Sequence, residues 1–370
     1  MTGPITIFMC GDVMTGRGID QVLPHPSDPV LYEPYVGDAR IYVQLAEQVN
    51  GPIQKPVDFP YIWGEAFDEL ERLAPDARII NLETAVTKSD EYWFDKGINY
   101  RMHPGNIPCI TAAKIDICAL ANNHVLDWGY PGLIETIETL QRAGIQYAGA
   151  GRTIREAEAS AIKEIAGKGR VVVFSFGSET SGIPETWAAA KDRPGVNFLP
   201  DLSFERVKDI DYIVRQMKQP GDIVIASIHW GSNWGYDIPR QQGSFAHALI
   251  DSAGIDVVHG HSSHHVKGIE VYSNKLILYG CGDFLTDYEG ISGYEFFRGD
   301  LSLMYFASVD PLNGKLVRLR MTPTRMRRFR VNRASEEEAL WLNEVLNREG
   351  RRLGTQVALR NDNTLELRWG

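Results

Sequence analysis

The chain has 370 residues, 44% hydrophobic and 23% charged, the balance of a globular protein long enough for one large core or two moderate ones. Its formal net charge of −10 excludes a general nucleic-acid or anionic-membrane binder, because neutralising phosphates needs a basic surface. No run nears the roughly 18 apolar residues of a membrane span, and no basic segment precedes the apolar residues 5–10 as a secretory signal requires. Cys10, Cys109, Cys118 and Cys281 have neither zinc-like spacing nor disulfide density, so a cytoplasmic protein with buried, reduced thiols is expected.

Ile5-Thr6-Ile7-Phe8-Met9-Cys10 reads as a buried first strand entering Gly11-Asp12 and a Gly-rich turn through Gly18. That turn lacks the Gly-Lys-Ser/Thr ending of a P-loop, which argues against a nucleotide there. The segment 23–61 is rich in Pro and Tyr and has little periodicity, as suits a loop that either covers a site or crosses the surface. Residues 62–74 read as a helix broken by Pro75-Asp76, and the short strand 77–80 delivers Asn81-Leu82-Glu83. A third strand, 115–120, leads to Asn122-Asn123-His124 and Asp127-Trp128-Gly129. Leu133, Ile137 and Leu140 then place a helix over 131–143.

Strands follow at 170–176 and 222–228, the second delivering His229-Trp230-Gly231, with helices over 203–218 and 240–253. The apolar run 255–258 feeds His259-Gly260-His261-Ser262-Ser263-His264-His265, which holds four of the chain's nine histidines. Imidazole is both a common metal ligand and the side chain that titrates near neutrality, so metal binding or proton transfer is expected there. The strand 275–279 ends at Gly280-Cys281-Gly282-Asp283, and strand-like runs 301–309 and 315–322 precede a helix near 335–348. With no repeat and no low-complexity linker, one elaborated domain (1–310) carrying a C-terminal strand and helix extension (311–370) is expected.

The recurring unit is a buried strand, a sharp turn, then a residue able to bind metal or move protons. One such residue is usually a cap or turn residue. Six strand ends that share the habit point instead to a common site, since ligands of α/β sheets gather at the carboxyl ends of strands. In order, Gly11-Asp12, Asn81-Leu82-Glu83, Asn122-Asn123-His124 with Asp127-Trp128-Gly129, His229-Trp230-Gly231, Gly260-His261 with His264, and Gly282-Asp283-Phe284 resemble the motifs of CapA-like proteins. These belong to the calcineurin-like metallophosphoesterase superfamily and are named for poly-γ-glutamate capsule synthesis. The resemblance covers residues 5–310. It implies an α/β fold, a calcineurin-like βαβ sandwich with the site at the C-terminal ends of the strands. It also implies a divalent metal among Asp12, Glu83, Asn123, His229 and His261, with His264 beside them and His124 as the catalytic imidazole.

The departures have consequences. Asp12-Val13-Met14 stands where the superfamily has Asp-x-His, Glu83 stands in for an Asp, and Ser262 and Ser263 replace the middle of Gly-His-His-Pro-His. Fewer imidazoles beside retained carboxylates favour a hard ion, Ca²⁺, Mg²⁺ or Mn²⁺. His124 with Asp127, and His264 and His265 near Asp283, then read either as oriented acid–base pairs or as carboxylate supports of metal-bound histidines. The chain is also similar to lasso-peptide C-terminal tryptophan epimerases. That similarity implies a precursor-peptide substrate and two-base inversion of a Cα. Arg17 and Arg101 would grip its terminal carboxylate, if they are not simply surface arginines. Trp230, with Trp128, Trp234 and Tyr236, would line an aromatic pocket unless these rings belong to the core. The alternatives are a metal-dependent phosphoesterase and a non-catalytic role in poly-γ-glutamate metabolism. No nucleic acid or membrane partner is expected, and the oligomeric state is left open.

Overall fold

The computed structural model describes residues 3–370. Strand β1 (Ile5–Val13) is buried on both faces, so its alternate residues enter two different cores. Ile5, Ile7 and Met9 join one, while Phe8 and Cys10 join another. The split recurs along β2 (Ala77–Leu82) and β3 (Ile117–Ala119), which with β4 (Gln146–Ala148) form parallel neighbours in the order β1-β2-β3-β4. A second sheet runs β5 (Gly169–Ser178), β6 (Asp222–His229), β7 (Val257–His261) and β8 (Lys275–Leu278), again parallel.

Val171, Ile223, Ile225, Val257 and Leu276 share a core with Ile7, Ile79 and Ile117, so the two sheets pack face to face. Their outer faces are covered by helices. Arg40–Asn50, Glu65–Leu73 and Gly129–Arg142 lie over the first sheet, and Phe204–Met217 and Arg240–Ser252 over the second. The result is a mixed α/β sandwich of four layers, helix–sheet–sheet–helix. In each sheet the parallel strands deliver their carboxyl ends to one edge.

Two local features aim the first sheet's residues. Pairing of β1 with β2 shifts register between Met9 and Asp12, and this bulge turns Asp12 out of the alternation that sends Phe8 and Cys10 away from the inter-sheet core. Gly11 passes so close to the Cys281-Gly282 backbone that an added Cβ would lie 1.7 Å from the Gly282 carbonyl oxygen. That approach lets Asp12 N–H donate to Gly282 O at 2.9 Å, and it starts β9 (Asp283–Leu285), which places Asp283 opposite Asp12.

Beyond β9 the chain extends the same first sheet. Strand β10 (Leu301–Val309) runs antiparallel to β1, β11 (Leu316–Met326) follows it, and β12 (Thr355–Leu359) and β13 (Leu365–Trp369) complete the order β12-β13-β11-β10-β1. The boundary expected at residue 310 falls in the turn between β10 and β11. The helix Glu336–Gly350, opened by a Ser335/Glu338 capping box, packs against this end. The segment 23–61 contains the helix Arg40–Asn50, with Tyr42, Val43 and Ala46 facing inward. Among the described residues no helix is long and apolar enough to cross a membrane, and all four cysteines are free and buried.

Candidate metal centre and its flanking imidazoles

Period-two alternation carries the inter-sheet core straight into the site. On β6, Ile223 and Ile225 are followed on the same face by Ser227 and His229, and on β7, Val257 is followed by His259 and His261. Ser227 sits opposite His259 and His229 opposite His261. From the first sheet come Asp12, Asn81 and Glu83, and from the turn after β3 come Asn123 and His124. Asp12, Glu83, His229, His261 and Asp283 are all buried.

Two ligand groups share Asp12. Asp12, His229 and His261 form one and Asp12, Glu83 and Asp283 the other, the candidate ligand atoms of each lying within 4.8 Å of one another. The electrostatics ask for a cation. Burial, then the Asp283 carboxylate, pushes the Asp12 pKa up to about 7, despite a 2.7 Å hydrogen bond from Asn81. Burial, then Asp12 and Asp283, holds Glu83 well above the usual carboxylate range.

The hydrogen bonds test whether a metal fits. His259 Nε2 lies 2.8 Å from the Cys10 carbonyl oxygen, so it carries the proton and leaves Nδ1 as acceptor. Ser227 Oγ, 3.1 Å from that Nδ1, donates to it and in turn accepts from His261 Nε2 at 2.9 Å. His261 Nδ1 therefore turns a lone pair into the site. His229 stands between two acceptors, that lone pair at 2.8 Å from its Nδ1 and the Asn123 Oδ1 at 2.9 Å from its Nε2. A neutral imidazole has one proton, so one of these contacts joins two lone pairs. A second proton is disfavoured, because burial and then the neighbouring His124 hold His229 far below the usual histidine pKa. A divalent cation removes the conflict. The residues fit a metal on nitrogen, amide oxygen and carboxylate donors.

Two histidine–carboxylate pairs flank this centre with opposite polarity. His124 Nδ1 lies 2.6 Å from Asp127 Oδ2, and Lys96 Nζ lies 2.5 Å from Asp127 Oδ1 and 3.0 Å from His124 Nδ1. Burial, then the Lys96 ammonium, holds His124 well below its usual pKa, so it is a neutral imidazole, with Nε2 3.8 Å from Glu83. His264 Nδ1 lies 2.9 Å from Asp283 Oδ1. There burial opposes charge, but the Asp283 carboxylate outweighs it and the pKa is raised. Between the pairs lie Tyr100, stacked on His124 at 3.8 Å, and Tyr288, edge-on to His264, their hydroxyls hydrogen-bonded at 2.5 Å.

Four residues expected at the chemistry or the substrate are engaged elsewhere. His265 accepts from Gly235 N at 3.1 Å through Nε2 and donates to Val266 O at 3.0 Å through Nδ1, so neither nitrogen is free to act as a base. Arg17 is buried against Asp287 at 2.5 Å, Glu33 at 3.0 Å and the Tyr42 hydroxyl at 3.0 Å. Arg101 binds Ser89 O, Asp90 and Asp28 O and stacks on Trp128 at 3.8 Å. Trp230 is buried in the core beneath the outer helices of the second sheet, its indole N–H donating to Tyr279 O. Internal partners consume the donors these residues would offer a ligand. Conversely, sequence reasoning missed Lys96, Tyr100, Tyr288, Ser227 and His259. Of these, His259 carried a signal as a member of the histidine cluster two residues from His261, and Ser227 carried one as the polar residue two before His229 on an otherwise apolar strand face.

Residues 6–288 match the model of a family described as bacterial capsule synthesis protein PGA_cap, and the chain belongs to that family. It is 50% identical over 364 residues, 98% of this chain and 96% of the relative, to a probable polyglutamine synthesis accessory protein of Mycobacterium tuberculosis. It is 27% identical over 292 residues to the PGA biosynthesis protein CapA of Bacillus subtilis, covering 76% of this chain and 70% of that one. With the capsule biosynthesis protein CapA of Bacillus anthracis it shares 25% identity over 284 residues, 76% of this chain and 60% of that one.

Proposed function

We propose that this chain is a divalent-metal-dependent hydrolase of glutamate-polymer metabolism, acting on an amide linkage of the polymer. One observation carries the reading. A neutral imidazole and a charge-favoured one stand on either side of a buried carboxylate and imidazole cluster. Environments that drive two titratable groups apart assign the base and the acid. The family and the names of its relatives supply the substrate class. The two-sheet sandwich with its site at the strand ends also supports kinship with calcineurin-like metallophosphoesterases.

Asp12, Glu83, Asp283, His229, His261 and Asn123 would hold the metal. When bound, it supplies Lewis-acid polarisation and charge neutralisation. The chain's own groups do the proton work. His124, oriented through Nδ1 by Asp127, takes a proton from water at Nε2 as the water oxygen bonds to the carbonyl carbon. His264, whose protonated form the Asp283 carboxylate favours from 2.9 Å, gives its proton to the departing amine nitrogen as the C–N bond breaks. Proton exchange with solvent then resets both imidazoles. Lys96 keeps Asp127 from charging His124, and the Tyr100–Tyr288 pair holds the two rings apart.

The same imidazole pair would serve a peptide epimerase by removing and returning a Cα proton. That reading loses its carboxylate grip, since Arg17 and Arg101 are committed to internal partners. The deciding experiment incubates Mn²⁺-loaded protein with poly-γ-glutamate in D₂O and follows chain length and isotope content by mass spectrometry. Shortening that stops with chelator and with His124→Asn is expected. Deuterium gain without shortening, in the polymer or in a tryptophan-ended peptide, would replace hydrolysis by epimerisation. Phosphate release from a generic ester, with neither change, would make the protein a phosphoesterase.

A further inference from the structure

Ser227 and His259 touch neither the carboxylates nor the flanking imidazole pairs, yet both are fully buried at the end of the inter-sheet core, where apolar residues would pack more cheaply. Each of their polar atoms has a partner, and the partners form one directed chain. It starts at a group whose role cannot change, the Cys10 carbonyl oxygen, which only accepts. His259 Nε2 must donate to it at 2.8 Å. Carbonyl and hydroxyl neighbours offer no countercharge, so His259 is neutral and its Nδ1 accepts from Ser227 Oγ at 3.1 Å. Ser227, its single proton spent, accepts from His261 Nε2 at 2.9 Å. Each step leaves one choice for the next.

We propose that Ser227 and His259 are positioning residues that fix His261 with its proton on Nε2 and its Nδ1 lone pair turned into the metal centre. The pleat makes the device possible. Ser227 and His259 are opposite each other in register on β6 and β7, and His261 is two residues further along the same face. The chain also ties the centre to β1, because Cys10 lies two residues before Asp12. One hydrogen-bonded path thus sets the tautomer of a nitrogen donor in the second sheet from the backbone that carries the shared carboxylate in the first. An imidazole that must choose its tautomer as it binds loses part of its affinity, and removal of such supports costs 10- to 100-fold.

The inference rests on the metal-centre reading for its purpose but not for its geometry, so two measurements separate them. The first takes ¹⁵N-histidine-labelled, metal-free wild-type protein and assigns the tautomers of His259 and His261 by NMR. Both rings are expected with a protonated Nε2 and an unprotonated Nδ1 before any metal is added. A proton on His261 Nδ1 would overturn the proposal whatever the enzyme does. The second titrates Mn²⁺ calorimetrically into wild type and Ser227→Ala. About a 10- to 100-fold weaker Kd is expected, with His261 in the variant showing a mixture of tautomers. Equal Kd values would overturn it. If Ser227→Ala fails to fold, the wild-type tautomers decide. Failure of polymer hydrolysis, with the tautomers as expected, would sink the function and leave this device standing.

Discussion

Replacing Asp12 by Asn in metal-free protein separates the site's chemical purpose from the stability of the fold. Asp12 is buried with Asp283 opposite, and its pKa rises from 3.8 to about 7. Between those values the folded state keeps a proton that the unfolded state has released, so this group's contribution to stability is full below the unfolded pKa. It is lost progressively as pH rises through the folded one. At pH 8 the loss is about three pKa units, on the order of 4 kcal/mol at ~1.4 kcal/mol per unit. At pH 5 it is under about 2 kcal/mol. Asn carries no charge and escapes the loss. It also brings an amide to the Ser262 N–H that Asp12 Oδ2 accepts at 3.1 Å, which costs about 1 kcal/mol. Asp12→Asn should therefore be more stable than wild type at pH 8 in chelator by about 3 kcal/mol, or roughly 4 °C for a chain of this length. The gain should nearly vanish at pH 5. Adding Mn²⁺ at pH 8 should raise the wild-type Tm, by about 2.7 kcal/mol of stability at a hundredfold excess over Kd, and leave the variant unmoved. Calorimetric melts at the two pH values, with chelator and with Mn²⁺, read all four numbers. A variant no more stable than wild type at pH 8 in chelator would refute the claim that this site is strained by its own carboxylates.

Two further substitutions test placement. Gly11→Ala drives a Cβ to within 1.7 Å of the Gly282 carbonyl oxygen, so β1 and Asp283 must separate. A loss of about 3 kcal/mol or more is expected, together with loss of Mn²⁺ binding; a variant that melts and binds like wild type would mean the two strands tolerate separation. Arg17→Ala leaves Asp287 buried without its partner and should cost about 3–5 kcal/mol in a thermal melt, with KM for polymer unchanged. A raised KM at unchanged stability would restore Arg17 to substrate binding.

Much of the site was legible in the sequence because parallel α/β sheets concentrate ligands at strand ends, and that rule needs only strand boundaries. Asp12, Glu83, His229 and His261 each follow a run of buried apolar residues, so their convergence could be read without knowing the strand order. What could not be read were partners fixed by tertiary distance. Arg17 looks like any arginine in a glycine-rich turn, and Asp287, which neutralises it, lies 270 residues away. Lys96 sits in a stretch without periodicity, so nothing local marks it as the residue that reaches Asp127. The C-terminal strands Thr355–Leu359 and Leu365–Trp369 were missed for a different reason, each offering only five residues of pattern.

The histidine cluster shows where pattern reading could have gone further. Treating its four imidazoles as equivalent left His265 as a catalytic candidate and His259 without a role. Period two distinguishes them. His259 and His261 share a face that continues Val257 into the inter-sheet core, so a partner strand must offer that face a polar neighbour at the level of His259. On the strand that ends in His229, counting back two residues reaches Ser227, the one polar residue among the apolar inward positions Ile223 and Ile225. The alignment of the two histidine-ending strands would have paired Ser227 with His259 from sequence alone. His265 lies beyond the end of the strand, where no such alternation holds, and there only the backbone of Gly235 and Val266 decides that it is a support.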